Sequence, residues 1–267
     1  MQLKIFIILV LLVIHLSAKE EGSRYSVGLV GMSMDYREYD DNNQILDSEK
    51  SDLSGIIGVE LGMDYIVNTS AQDYSQVGLH LTTLWGTTEY VGALLNNGGG
   101  YGSVVSSSVN TILDVEGEYL YGVRIANNFD AIAGGSVGYR SWRRELSSYQ
   151  VEVYSWAYLN PEIGLDFTAT RDISLRLLLG YKYGLSPIMT ATGIKDNFEL
   201  GSADTFHLSL NSQFNIDETT SLFIEYLYEN QVITKSNIVY SSDGTGYLEP
   251  DSNANNQYLK FGVAFKY

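Results

Sequence analysis

From residue 24 onward, apolar and polar side chains alternate with a period of two in ten stretches: 24–37, 53–67, 75–91, 111–125, 131–144, 150–167, 172–188, 203–215, 220–234 and 256–267. A period of two places successive side chains on opposite faces and predicts β-strands. In the seventh stretch Ile173, Leu175, Leu177, Leu179, Tyr181 and Tyr183 share a face, opposite Ser174, Arg176, Leu178, Gly180, Lys182 and Gly184. In the eighth, Phe206, Leu208, Leu210 and Phe214 oppose Thr205, His207, Ser209, Asn211 and Gln213, and in the fourth Leu113, Val115, Tyr119, Tyr121 and Val123 oppose Asp114, Glu116, Glu118 and Arg124. Most of these stretches are twice the length of a typical strand in a soluble sheet, ~5–6 residues, and long enough to cross a bilayer, which takes ~9–11. Their connections alternate short and long, with Glu145 to Tyr149 the exception. The predicted fold is all-β: a transmembrane, antiparallel, up-and-down barrel of ten strands, with eight and twelve as the bracketing even counts. A further hairpin is predicted where Ile238-Val239-Tyr240 and Gly246-Tyr247-Leu248 flank Ser241 to Thr245; counting it as spanning gives twelve, but its arms are too short.

The last eight residues, Lys260 to Tyr267, place Gly262, Phe265 and Tyr267 in the order glycine, aromatic, final aromatic. Leu259, Phe261, Val263, Phe265 and Tyr267 face one way; Lys260, Gly262, Ala264 and Lys266 face the other. This pattern resembles the C-terminal signal by which outer-membrane β-barrels of Gram-negative bacteria are recognised for assembly. At the other end Lys4, the apolar run Ile5 to Ile14 and Ala18 predict a signal peptide over 1–18, leaving 19–267 as the barrel domain. The resemblance is to the broad class of small porin-like and opacity-type barrels. It implies a cell-surface protein in contact with outer-membrane lipid, lipopolysaccharide and the barrel assembly machinery, with both termini in the periplasm. Outward aromatics then divide by height. Tyr25, Tyr65, Phe167, Phe214 and Tyr267 fall near the periplasmic rim; Trp85, Tyr139, Tyr181, Tyr183 and Tyr228 fall near the outer one.

Composition narrows the chemistry. There is no cysteine, so neither disulfides nor thiolate catalysis. A net charge of −16 excludes nucleic acid as a partner and suits a surface facing water and cations. The mean hydropathy of −0.06 is low for a membrane protein, as expected where only alternate residues meet lipid.

The inward face is strongly charged: Glu60, Asp64, Asp114, Glu116, Glu118, Arg124, Arg140, Glu152, Glu162, Asp166, Arg176, Lys182, Glu225, Glu229 and Lys260. Ten strands leave little bore, so the mixed signs predict a salt-bridged plug, with a cation-selective lining as the alternative. The chain is similar in size to the ten-stranded omptin proteases, whose site pairs an Asp-Asp couple with an Asp-His couple at the outer rim. Asp204 and His207 match half of that, but a spacing of three puts them on opposite faces. His207 also faces inward, whereas lipid-modifying barrels use a lipid-facing His-Ser pair. His80 is expected far from His207 in height, which disfavours a two-histidine metal site. No catalytic residue, metal or cofactor is assigned. The expectation is a non-enzymatic barrel that passes small solutes weakly or meets an extracellular ligand through its loops, with a rim hydrolase as the alternative.

Overall fold

The computed structural model describes residues 22–68, 73–93, 100–241 and 244–267; the signal segment 1–18 with the three residues after it, and parts of three connections, lie outside them. The chain forms β1 (Ser23–Tyr39), β2 (Ile45–Asn68), β3 (Asp73–Gly92), β4 (Val104–Ala126), β5 (Phe129–Ser147), β6 (Gln150–Thr168), β7 (Ile173–Ala191), β8 (Phe198–Glu199), β9 (Ala203–Asn215), β10 (Thr220–Ile233), β11 (Val239–Tyr240), β12 (Gly246–Tyr247) and β13 (Asp251–Lys266). No helix occurs among the described residues. Apart from the two-residue β8, which caps β7, the main sheet is a ring of ten antiparallel strands. Each pairs with its neighbour along the chain, and β1 closes the ring against β13 from Arg24↔Lys266 to Tyr39↔Asp251. Closure satisfies every edge, which a lipid-facing sheet requires.

All ten predicted strands are present, and several are longer than the alternation alone indicated. β2 begins at Ile45 and β4 at Val104, where the side chains are mostly polar and apolar periodicity is faint. The small hairpin forms as predicted, pairing Val239 with Tyr247 and Tyr240 with Gly246. The start of β1 and the C-terminal end of β13 share one end of the barrel with the connections β2–β3, β4–β5, β6–β7 and β9–β10; we call this the turn end. The opposite, loop end carries β1–β2, β3–β4, β5–β6, β8 and the β11–β12 hairpin.

The outward face is an apolar band. Val27, Leu29, Ile57, Leu61, Val77, Val137, Ile163, Leu177, Leu210, Ile224 and Phe261 are all well exposed on it. Aromatics border the band on both sides: Tyr25 against Tyr267 (5.8 Å) and Phe129 stacked on Phe167 (4.6 Å) at the turn end, Tyr181 beside Tyr183 (4.6 Å) toward the loop end. Above Leu29 and Leu259 the outward positions of β1 and β13 become Ser33, Asp35, Arg37 and Gln257, Asn255, Asn253. The 16 residues of β13 reach roughly 50 Å at ~3.3 Å each, more than a tilted strand needs to cross an apolar band ~25 Å tall. The loop end therefore stands well clear of the band.

Candidate functional site

Three layers fill the lumen from turn end to loop end, and each is built from side chains that alternation aims inward. At the turn end Arg24 holds Asp64 (Nη2 to Oδ2, 2.9 Å) and donates to Gln213 (2.6 Å). Arg176 clasps Asp166 through Nε (2.7 Å) and Nη2 (2.8 Å) and reaches Gln76 Oε1 (2.9 Å). These groups line a vestibule of about 410 Å³ that also takes in Arg171 and Lys266 of the turn-end rim.

In the middle, Glu229 is wholly buried and accepts from Arg140 (3.0 and 3.2 Å), Lys182 (3.0 Å) and the Tyr258 hydroxyl (2.9 Å). Arg140 also bonds Asp114 (2.7 Å), and the Tyr158 hydroxyl lies 2.7 Å from both Asp114 and Glu116. Lys260 sits between Glu60 (2.7 Å) and Glu225 (3.0 Å). Around them lies a cavity of about 170 Å³ lined by Glu60, Asp114, Glu116, Glu118, Glu162, Glu225 and Glu229 against Arg140, Lys182 and Lys260. Seven acids against three fixed cations make this chamber attractive to positive ions.

The loop-end layer is a seal. Arg144, 1% exposed, faces Glu38 (2.6 Å), Asp47 (3.2 Å), Glu152 (3.1 Å) and, through Nε, Glu49. Its guanidinium lies 4.9 Å over the Tyr36 ring; Trp142 packs edge-on to Tyr36 (5.2 Å), stacks on Tyr154 (4.9 Å) and donates to Asn110 (2.7 Å). Met32, Met34, Ile56, Leu84, Trp156, Met189, Phe198, Leu200 and Ile233 complete this buried layer. The void against it, bordered by Met34, Trp142, Trp156 and Gln231, is about 10 Å³, at most one water. This layer stands level with the polar outward positions above the band, so its acids are in the water-facing part of the barrel. Burial pushes Glu38, Asp47 and Glu249 up, with neighbouring acids adding to it; the carboxyl of Glu249, which accepts from the Tyr154 hydroxyl, rises to about 8. Burial works the same way on Glu49, but the Arg144 charge and hydrogen bonds more than offset it and leave Glu49 lowered.

Of the lumen charges read from the sequence, Asp114, Glu116, Glu118, Arg140 and Glu225 line the central cavity, and Glu118, Arg176 and Glu225 line the vestibule. Arg124 does not join them. It lies at the turn-end rim, half-exposed, where it pairs with Asp130 just before the bulge between Arg124 and Ala126. Gly262, Phe265 and Tyr267 lie on the closing strand: Gly262 opposite Gly28 and Phe223, Phe265 outward opposite Tyr25 and Thr220, and Tyr267 at the rim. Asp204 bonds the backbone N–H of Gly184 (3.2 Å), while His207 is buried in the lumen against Asn160 (3.0 Å) and Glu162 (3.5 Å). The wall separates the two. His80 and His207 both line the central cavity, and of the two only His80 also lines the vestibule, on the turn-end side where the sequence places it. The sequence reading missed that Asp64, His80 and Glu118 bring ligand atoms within 4.8 Å of one another. Their signal lies in the register of three strands, Asp64↔Gly78↔Glu118, which no single stretch displays.

No protein-family model matches the sequence, and no curated protein matches it. Among solved structures the chain is similar to the outer membrane protease OmpT from Escherichia coli, with a TM-score of 0.52 at 11% identity over 92% of this chain and 96% of that one. The transport unit of the autotransporter AIDA-I from Escherichia coli aligns with a TM-score of 0.45 at 11% identity, over 94% and 92%. The translocator domain of autotransporter NalP from Neisseria meningitidis gives 0.44 at 11% identity, over 96% and 92%. At such identity the likeness to OmpT is one of fold: the chain has the fold of a bacterial outer-membrane β-barrel.

Proposed function

We propose that this chain is a non-enzymatic integral protein of the Gram-negative outer membrane, with its termini in the periplasm and its loop end outside. Its lumen is a water-filled recess closed toward the outside, passing ions weakly at most, and its loops form the surface available to extracellular ligands. The exposed apolar band between aromatic borders supports contact with lipid and lipopolysaccharide, and the closing strand supports handling by the barrel assembly machinery. The observation that carries the closed reading is the buried layer around Arg144, against which the void bordered by Met34, Trp142, Trp156 and Gln231 is only about 10 Å³. The non-enzymatic reading is supported by the separation of Asp204 from His207 on two sides of the wall. Ion conductance in a planar lipid bilayer tests it: the refolded wild type gives no steady steps. Large, stable steps from a well-folded sample overturn the closed reading.

A further inference from the structure

We propose that Asp64, His80 and Glu118 form a site in the lumen for one divalent transition-metal ion of the zinc type. The three residues come from adjacent strands β2, β3 and β4, and their ligand atoms all lie within 4.8 Å of one another. Ligands held ~2.1 Å from a tetrahedral ion stand about 3.4 Å apart. His80 Nε2 and Asp64 Oδ1 are already at 3.4 Å.

Three features of the surroundings favour an ion over a simple polar contact. First, the imidazole packs closely against two glycines: a Cβ on Gly78 would stand 2.8 Å from His80 Nε2 and 2.9 Å from Asp64 Oδ1, so either side chain would have to shift, and one on Gly62 would stand 3.1 Å from His80 Nδ1. Second, Arg24 holds the outer oxygen of Asp64 through Nε (3.2 Å) and Nη2 (2.9 Å), fixing the carboxylate while Oδ1 stays turned to the site. Such supporting hydrogen bonds orient metal ligands. Third, the Gln76 amide Nε2 bridges the two carboxylates, 3.0 Å from Asp64 Oδ1 and 3.4 Å from Glu118 Oε1. It supplies partial positive charge where a cation would sit, and it must swing aside when one enters.

All three ligands line the vestibule, so an ion reaches them from the turn end, and His80 and Glu118 also open on the central cavity, where water can complete the coordination. Glu162 lines the same cavity, 5% exposed, with Oε2 buried and without a partner, and adds to the negative field there. One imidazole nitrogen with two carboxylates selects a borderline ion such as Zn²⁺ over Ca²⁺ or Mg²⁺, which prefer all-oxygen sets of six or more.

Calorimetric titration of the refolded protein with Zn²⁺, Ca²⁺ and Mg²⁺ is the test, with heat-modifiable migration confirming the barrel in every sample. One Zn²⁺ binds per chain and neither Ca²⁺ nor Mg²⁺ competes. His80→Ala and Glu118→Gln each weaken Zn²⁺ binding at least about tenfold. Gly78→Ala does the same with all three ligands in place, because the methyl group pushes the imidazole off Asp64. His207→Ala leaves affinity unchanged. Glu118→Gln preserves shape, so it remains informative if His80→Ala fails to fold. No Zn²⁺ binding by folded wild type, or equal binding by wild type and Glu118→Gln, overturns the proposal.

Discussion

Arg143 and Arg144 are consecutive in β5 and meet different worlds. Arg143 points outward, 43% exposed, and pairs with Glu145 at 2.6 Å in water; Arg144 points inward, 1% exposed, among Glu38, Asp47, Glu49 and Glu152. An exposed pair contributes ~0–1 kcal/mol, because water screens it and ordering two side chains costs entropy. A buried pair that loses one partner leaves an uncompensated charge and costs ~3–5 kcal/mol. Arg144→Ala is therefore expected to lower stability by about 3–5 kcal/mol, while Arg143→Ala changes it by less than ~1 kcal/mol. Denaturant unfolding of the two variants in the same detergent checks this; similar losses would mean that Arg144 is not the hub of the seal.

At the scale of the strand, the distinction is between two faces. Leu177 is outward, 41% exposed, between Leu165 and Leu210, whereas Ser174 on the same strand faces the vestibule. An arginine on the lipid face near the bilayer centre costs ~2–4 kcal/mol, and one in a wet recess costs about 1 kcal/mol or less. Leu177→Arg is thus expected to cut the folded yield in lipid far more than Ser174→Arg, read by heat-modifiable migration; equal yields would show that β7 presents the other face to lipid. The alternation that supports this contrast was legible in the sequence, because apolar-out and polar-in is a property of one strand read alone. The seal and the metal-compatible trio were not. Arg144 on β5 meets Glu49 on β2 with two strands between them, and Asp64 meets Glu118 across Gly78 of β3, so both depend on register, which bulges reset between Lys50 and Ile56 and between Glu145 and Ser147. Where alternation ran past the rim, as at Arg124, it named a facing direction but not a place in the lumen.

For the whole molecule, the loop-end layer couples stability to pH. Glu38, Asp47, Glu49, Glu152 and Glu249 converge there with the hydroxyls of Tyr36 and Tyr154, and Arg144 is the cation they share. Burial raises Glu38, Asp47 and Glu249, the last to about 8. A carboxyl raised in the folded state keeps its proton where the unfolded chain has released it. The folded form then binds more protons, and stability falls as pH rises from the ordinary carboxyl range, ~4.3 for Glu, through about 8. Glu49 has the opposite sign, but a lowered carboxyl acts only below its ordinary range, outside this window. The thermal unfolding midpoint in detergent is accordingly higher at pH 6 than at pH 9. Glu249→Gln removes the ionisable group while keeping an acceptor for the Tyr154 hydroxyl, so it raises the midpoint at pH 9 and flattens the dependence. A wild-type midpoint that climbs from pH 6 to pH 9 would show these acids ionised in the folded barrel, with Arg144 and its surrounding water compensating all of them.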